Sequence, residues 1–209
     1  MMTHICVIGN IGAGKTELAK ALVKRLCGFA GMFEPDVQGN PYLQDFILKP
    51  SEFALRNQLF FLWSALHYIN RRSRKDKVVQ DFSIIGCPIF AEAMRKQSLL
   101  TKRDYEIYEK ICTQLFPNIP SPSLYILVRA CVETLEQRIS KRGRLSENSI
   151  PTDYLEILQY LHDSRLESFW IPRLPAPIIK IDTDKFNTFD KNDIDNLVIK
   201  INEELEQKG

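Results

Sequence analysis

The sequence lacks a long apolar run. No stretch approaches the roughly 20 residues that a membrane span needs. No basic start followed by an apolar stretch marks a secretory signal. It also lacks paired cysteines. Its five, Cys6, Cys27, Cys87, Cys112 and Cys131, are scattered without a CxxC pair, so neither a zinc site nor a disulfide framework is suggested. They are expected to be reduced thiols in a cytoplasmic protein. An excess of one charge is missing too. With 28 Lys and Arg against 26 Asp and Glu, the formal charge is +2. No nucleic-acid or membrane partner is implied, and any basic character that matters is local. There are no repeats, low-complexity tracts or long linkers. The 209 residues, 44% of them hydrophobic, are therefore expected to form one domain, 1–209, with a sizeable core.

Against these absences stands one stretch near the start. An apolar run, Ile5-Cys6-Val7-Ile8, ends in Gly9. Asn10-Ile11-Gly12-Ala13 follow, then Gly14-Lys15-Thr16, and a helix-like pattern begins. This is P-loop spacing in its required strand-to-helix context. Glycines let the backbone wrap closely round phosphate oxygens with its N–H groups inward. The helix N-terminus adds partial positive charge. Lys15 reaches the outer phosphates, and the Thr16 hydroxyl is suited to Mg²⁺.

Strands are predicted over about Thr3–Ile8, Phe29–Phe33, Lys77–Asp81, Leu124–Val128 and Ile178–Asp182. Helices fall between them. The first runs from the P-loop to about Leu26. A short one starts at Asn40-Pro41-Tyr42-Leu43 and breaks near Pro50. A long one is capped by Ser51 and runs to about Arg74. Others run from Pro88 to Lys96, from Thr101 to Phe116, from Val132 past Arg142, from Pro151 to Phe169, and from Asp193 to Gln207. Five strands alternating with helices mean an α/β fold, a parallel sheet covered on both faces.

Functional groups in such sheets sit beyond the carboxyl ends of strands. Glu34 and Asp81 occupy two of these ends. Glu34 then lies near the bound phosphates, or is a surface turn residue before Pro35. Asp81 then serves a magnesium ion, or is an ordinary strand-end acid. Arg138, Lys141, Arg142 and Arg144 crowd four cations into seven residues. Arg138 and Arg142 share one helix face. Beside a P-loop, such a cluster suits clamping a phosphoryl group rather than a solvated basic face. The middle of the helix at 51–74, Gln58 to Leu66, is apolar on nearly all sides. That implies burial on two faces, one on the sheet and the other under a partner subunit or under the rest of the chain.

At this point the sequence resembles the deoxynucleoside kinase family. The likeness is carried by the P-loop at Gly9 to Thr16, by Phe33-Glu34-Pro35 with Asn40-Pro41-Tyr42-Leu43, and by Pro88-Ile89-Phe90-Ala91. Arg138 to Arg144 with Ile150-Pro151-Thr152-Asp153-Tyr154-Leu155-Glu156 carries it equally. The resemblance implies a P-loop kinase fold with an arginine-rich lid at about 142–150, ATP and Mg²⁺ as cofactors, and a deoxynucleoside acceptor, deoxyguanosine or deoxyadenosine before a pyrimidine. It implies Glu34 as the general base on the 5′-hydroxyl, and Thr16 and Asp81 at the metal. Arg138 and Arg142 would stabilise charge on the moving phosphoryl, and Arg144 would close over the ATP phosphates. Glu147 would meet the sugar 3′-hydroxyl and Gln58 the base edge. The loop from Asp182 through Lys185 and Phe186 would pack on the adenine of ATP. A dimer of like chains, or with a paralogue, would form through the helix at 51–74.

The departures lie on the acceptor side. The family usually has arginine where Phe82 follows Asp81. It has a base-reading arginine where Ala65 stands, an aspartate partnering it where Cys87 stands, and a sugar-binding tyrosine where Ile47 aligns. Losing the arginine alone would leave a buried carboxylate unpaired. Losing both leaves a dry, remodelled pocket. Two readings follow: a kinase with an altered pocket, or a nucleotide-binding subunit of little activity acting through a partner.

Overall fold

Successive residues of a strand point to opposite faces, and the central strands use this to build two cores. In β4, Leu124–Arg129, the residues Leu124, Ile126 and Val128 face one layer, and Tyr125 and Leu127 the other. In β1, Thr3–Gly9, Ile5 and Val7 join the first set, and Cys6 and Ile8 the second. Continuous apolar runs of this kind belong to strands buried on both sides. The computed structural model describes residues 3–33, 39–72, 77–144 and 150–206.

The five strands are all parallel, in the order β2-β3-β1-β4-β5. β2 is Ala30–Met32, β3 is Lys77–Gln80 and β5 is Ile178–Asp182. β1 is central, pairing Cys6 with Gln80 of β3 and Ile8 with Leu127 of β4. One face carries α1 (Lys15–Arg25), α6 (Val132–Arg142) and α8 (Lys191–Glu206), through Leu18, Leu22, Leu135, Ile194 and Leu197. The other carries α3 (Pro50–Arg72), α4 (Cys87–Lys96), α5 (Lys102–Leu115) and α7 (Thr152–Leu161). The short α2, Leu43–Leu48, rests on α3. The predicted α/β architecture is the observed one, with three differences in detail.

First, α3 begins at Pro50, not after Ser51. The Lys49 carbonyl accepts the first helical N–H groups, from Glu52 at 3.1 Å and Phe53 at 3.2 Å. Proline suits the first helical position because its missing N–H would have had no partner there. Second, α3 is buried within the chain on one face, against α2, α4 and α5, and the rest of the chain does not cover the face expected under it or under a partner subunit. Leu59 and Trp63 on its far side are exposed, Trp63 by 57%. Third, the helix predicted from Pro151 to Phe169 splits. α7 ends at Leu161, and His162–Trp170 continues as a π-helix. Tyr154, Leu158, His162, Leu166 and Trp170 are all buried, at a period of four. Four α-helical residues overshoot a turn by about 40°. The wider π turn falls short of one, so the change of helix type returns the stripe to the core.

Ile126 sits at the centre of the sheet with no exposed surface. Ile126→Ala is expected to cost about 2–5 kcal/mol, read as a lower denaturant midpoint at unchanged slope.

Candidate active site

β1 runs straight into the phosphate loop. At Gly9 (φ +151°) an added Cβ would lie 2.3 Å from the Val128 carbonyl oxygen, so a side chain there would drive β1 and β4 apart. Gly14 stands at the N-terminus of α1 with φ +94°, the left-handed region, and no side chain caps that terminus. Its first N–H groups therefore point at an anion site. The Lys15 ammonium donates to the Asn10 carbonyl at 2.9 Å, folded back along the loop. Ala13 is buried and serves through its backbone. Asn10 is a brace. Its amide donates to the Leu155 carbonyl at 2.9 Å, and its Oδ1 accepts from the Ile11 N–H at 2.8 Å. The loop is thus tied to α7.

Asp81 stands one residue beyond β3. The Thr16 hydroxyl, at the end of the crevice, donates to its carboxylate at 2.8 Å, and Asp81 is buried beside it. Two hard oxygen donors in contact fit Mg²⁺, which takes one or two protein oxygens and completes its shell with phosphates and waters. No cluster of three or more His, Cys, Asp or Glu that could hold a metal occurs among the described residues.

From this end a cavity of about 740 Å³ runs inward. Gly9, Gly12, Lys15, Thr16, Arg142 and Arg144 line its phosphate end. Gln58, Ala65, Phe82 and Cys87 line its inner part, with Ile47 of α2 at the side. The structure therefore brings together the Gln58, Phe82, Ile47 and Cys87 predicted for the acceptor. Phe60, Phe61, Phe90, Met94 and Leu99 make much of the inner wall apolar, with Asn57, Ser64 and Gln97 as polar members. Gln58 is buried, and its amide nitrogen contacts the Met94 sulfur at 3.3 Å, which holds the carboxamide in one orientation. Glu34 and Glu147, predicted as base and sugar contact, lie outside the described residues.

His162, at the α7-to-π junction, is a wall residue that sequence reading missed. Its Nδ1–H donates to the Leu158 carbonyl at 2.7 Å, and its ring meets Phe90 edge-on. Burial pushes its pKa down to about 4, and the Lys15 and Arg129 charges push the same way. It is neutral near pH 7. The four-residue stripe was the signal that would have found it. Asn10 was read as part of the phosphate loop, but nothing in the sequence marked its bond to Leu155, and nothing marked Met94.

The predicted donor-base residues lie on the other side of the phosphate loop. Asp182 accepts from the Asp184 N–H at 3.0 Å and pairs with Lys185 at 3.4 Å, and Phe186 packs on the α1/α8 core. Arg138 reaches this loop and does not line the cavity. Its guanidinium donates to the Thr183 hydroxyl at 2.8 Å and the Thr183 carbonyl at 2.9 Å, above Gly14. Arg142, one turn on, lines the cavity mouth with Arg144. The two arginines that share a face thus serve different places. Asp184 caps α6 by accepting from the Cys131 N–H at 2.7 Å. Desolvation raises its pKa, but that hydrogen bond and those of its neighbours hold it below its ordinary value.

Residues 5–206 match the family model described as deoxynucleoside kinase. The chain is 31% identical over 205 residues to the deoxyguanosine kinase of Bacillus subtilis, covering 95% of this chain and 96% of that one. It is 34% identical over 185 residues to the deoxyadenosine kinase of Dictyostelium discoideum, covering 88% and 74%. Among solved structures, the deoxyadenosine kinase from M. mycoides with bound dATP superposes with a TM-score of 0.82 at 24% identity, over 96% of this chain and 100% of that one. The same kinase with bound dCTP gives 0.78 at 23% identity, with the same coverage.

The neutral His162 gives a pH test. Its folded pKa lies below its unfolded value, so the unfolded chain binds the extra proton as pH falls from about 6.5 to about 4. Stability is expected to fall with pH across that window. His162→Gln is expected to flatten this fall in denaturant titrations at pH 7, 5.5 and 4.

Proposed function

Since this chain belongs to the deoxynucleoside kinase family and is a phosphotransferase, we propose that it moves the γ-phosphate of ATP, with Mg²⁺, to the 5′-hydroxyl of a deoxynucleoside, a purine before a pyrimidine. One observation carries this reading. The loop that binds phosphates and the largely apolar, amide-bearing pocket that suits a base are two ends of the same cavity. The purine preference draws support from the names of the relatives and from the small Ala65 and Cys87 on the inner wall. The whole chain acts as one domain, with about 142–150 as its lid, in cytoplasmic salvage of nucleosides. A nucleotide-binding subunit without turnover is the less favoured reading.

The chemistry is positioning plus charge stabilisation. The backbone of Gly9 to Thr16 grips the donor phosphates, and Lys15 swings from the Asn10 carbonyl to the outer phosphate. Thr16 and Asp81 would hold the magnesium, which neutralises charge that builds on the phosphates. Glu34 accepts the proton of the 5′-hydroxyl. A carboxylate suits this role when it is within hydrogen-bond reach. Arg142 and Arg144 stabilise the phosphoryl group in flight. Arg138 belongs to the donor-base wall rather than to the phosphoryl group. Gln58 reads the base edge as acceptor and donor. Phe82, Ile47 and Cys87 shape the pocket, and Glu147 meets the sugar. Asp182, Lys185 and Phe186 form the loop beside the adenine.

A panel of deoxynucleosides with labelled ATP tests this directly. Phosphorylation of deoxyguanosine or deoxyadenosine is expected. No product from any of them, with protein that binds Mg·ATP, would favour the inactive subunit. Glu34→Gln is expected to lower kcat by a factor of about 10² or more, with ATP affinity nearly intact, and full activity would remove Glu34 from its role.

The assembly is a dimer of like chains through the exposed side of α3. Leu59 and Trp63 there, with Ile107 and Ile111 of α5, are exposed apolar side chains on adjacent helices. The Tyr108 hydroxyl of α5 reaches the Gln58 carbonyl of α3 at 3.4 Å, which fixes the pair side by side. Apolar groups gathered this way mark an interface. Trp63→Glu with Ile107→Glu is expected to halve the mass seen in analytical ultracentrifugation, and an unchanged mass would exclude this surface.

A further inference from the structure

We propose that Thr183, the first residue after β5, is a positioning residue for the phosphate donor. Three separate parts of the donor side meet on its side chain. The hydroxyl lies 3.3 Å from the carbonyl of Ala13 in the phosphate loop and 3.0 Å from the carbonyl of Arg129 at the end of β4. It accepts from the Arg138 guanidinium at 2.8 Å, while its own carbonyl accepts a second bond from the same guanidinium at 2.9 Å. Its N–H donates to the Arg129 carbonyl at 2.7 Å. The residue is buried, so these bonds are sheltered from water.

Arginine is long and rotamer-rich, and a single hydrogen bond would leave its plane free to turn. Two bonds to one residue fix the plane. Arg138 then lies over Gly14 at the N-terminus of α1 in one orientation. The one proton of the Thr183 hydroxyl is shared between the Arg129 carbonyl at 3.0 Å and the Ala13 carbonyl at 3.3 Å, so the same hydroxyl also holds the phosphate loop against the end of β4. A valine of nearly equal volume keeps the packing, and removes both the acceptor for Arg138 and the link to Ala13. The carbonyl bond survives, so the fold is expected to survive too. A serine keeps the hydroxyl.

The test measures Mg·ATP and deoxyguanosine binding separately by calorimetry, on full-length wild type, Thr183→Val and Thr183→Ser. Thr183→Val is expected to weaken Mg·ATP about tenfold, the loss of one hydrogen bond to a charged group. Deoxyguanosine binding should stay within about twofold, and Thr183→Ser should bind Mg·ATP within about twofold of wild type. The proposal is overturned by wild-type ATP affinity in Thr183→Val, by equal weakening of both ligands, or by a serine variant as weak as the valine one. It rests on ATP as donor. A wild-type chain that binds no Mg·ATP would overturn that reading first, and the two failures are told apart by the wild-type titration alone.

Discussion

Thr16 and Asp81 touch because β1 and β3 are neighbours in parallel register. Cys6 pairs with Gln80, so β3 ends beside the middle of β1 while β1 continues to Gly9. The chain then passes beyond the carboxyl end of the sheet, turns through the phosphate loop and comes back down at Thr16. The hydroxyl arrives where the Asp81 carboxylate waits. Every other part of the site takes its position from this meeting. β4 supplies the carbonyl that Gly9 must approach. The helix after β4 supplies the arginines, and the helices on the far face supply the inner wall of the cavity.

Much of this was legible in the sequence because it rests on local chemistry. A strand, a glycine-rich turn and a lysine-threonine pair can make one structure only, and Gly9, Gly12 and Gly14 take the conformations that require glycine. The acid at the end of β3 was legible for the same reason. Gln58, Phe82, Cys87 and Ile47, grouped by the resemblance, do line one cavity, with Ala65 beside them.

What escaped depends on tertiary contact. Arg138 and Arg142 share a helix face, which spacing reports, but spacing does not report that a hydroxyl from β5 captures the first and leaves the second at the cavity. The apolar surround of α3 did not say whether a partner or the rest of the chain covers its second side, and the rest of the chain leaves Trp63 there exposed. The stripe at 154–170 looked like one long helix because a period of four is close to 3.6. The accumulated error over four turns is what the π segment removes. Asn10 occupies a position where the motif accepts any residue, so its buried bond to Leu155 had no sequence signal at all.

That bond, with the one from Thr183 to Ala13, bears on the order in which the molecule is made. The phosphate loop is made before the segments that brace it. Its braces come from 145 and 170 residues later. Contacts so distant in sequence form only after the intervening chain has closed. A nascent or truncated chain would display the whole motif and still lack the shape that grips a nucleotide. Donor binding is therefore a property of the finished sheet, acquired when β5 docks beside β4. In the growing chain, competence for ATP would mark the completion of folding rather than its beginning.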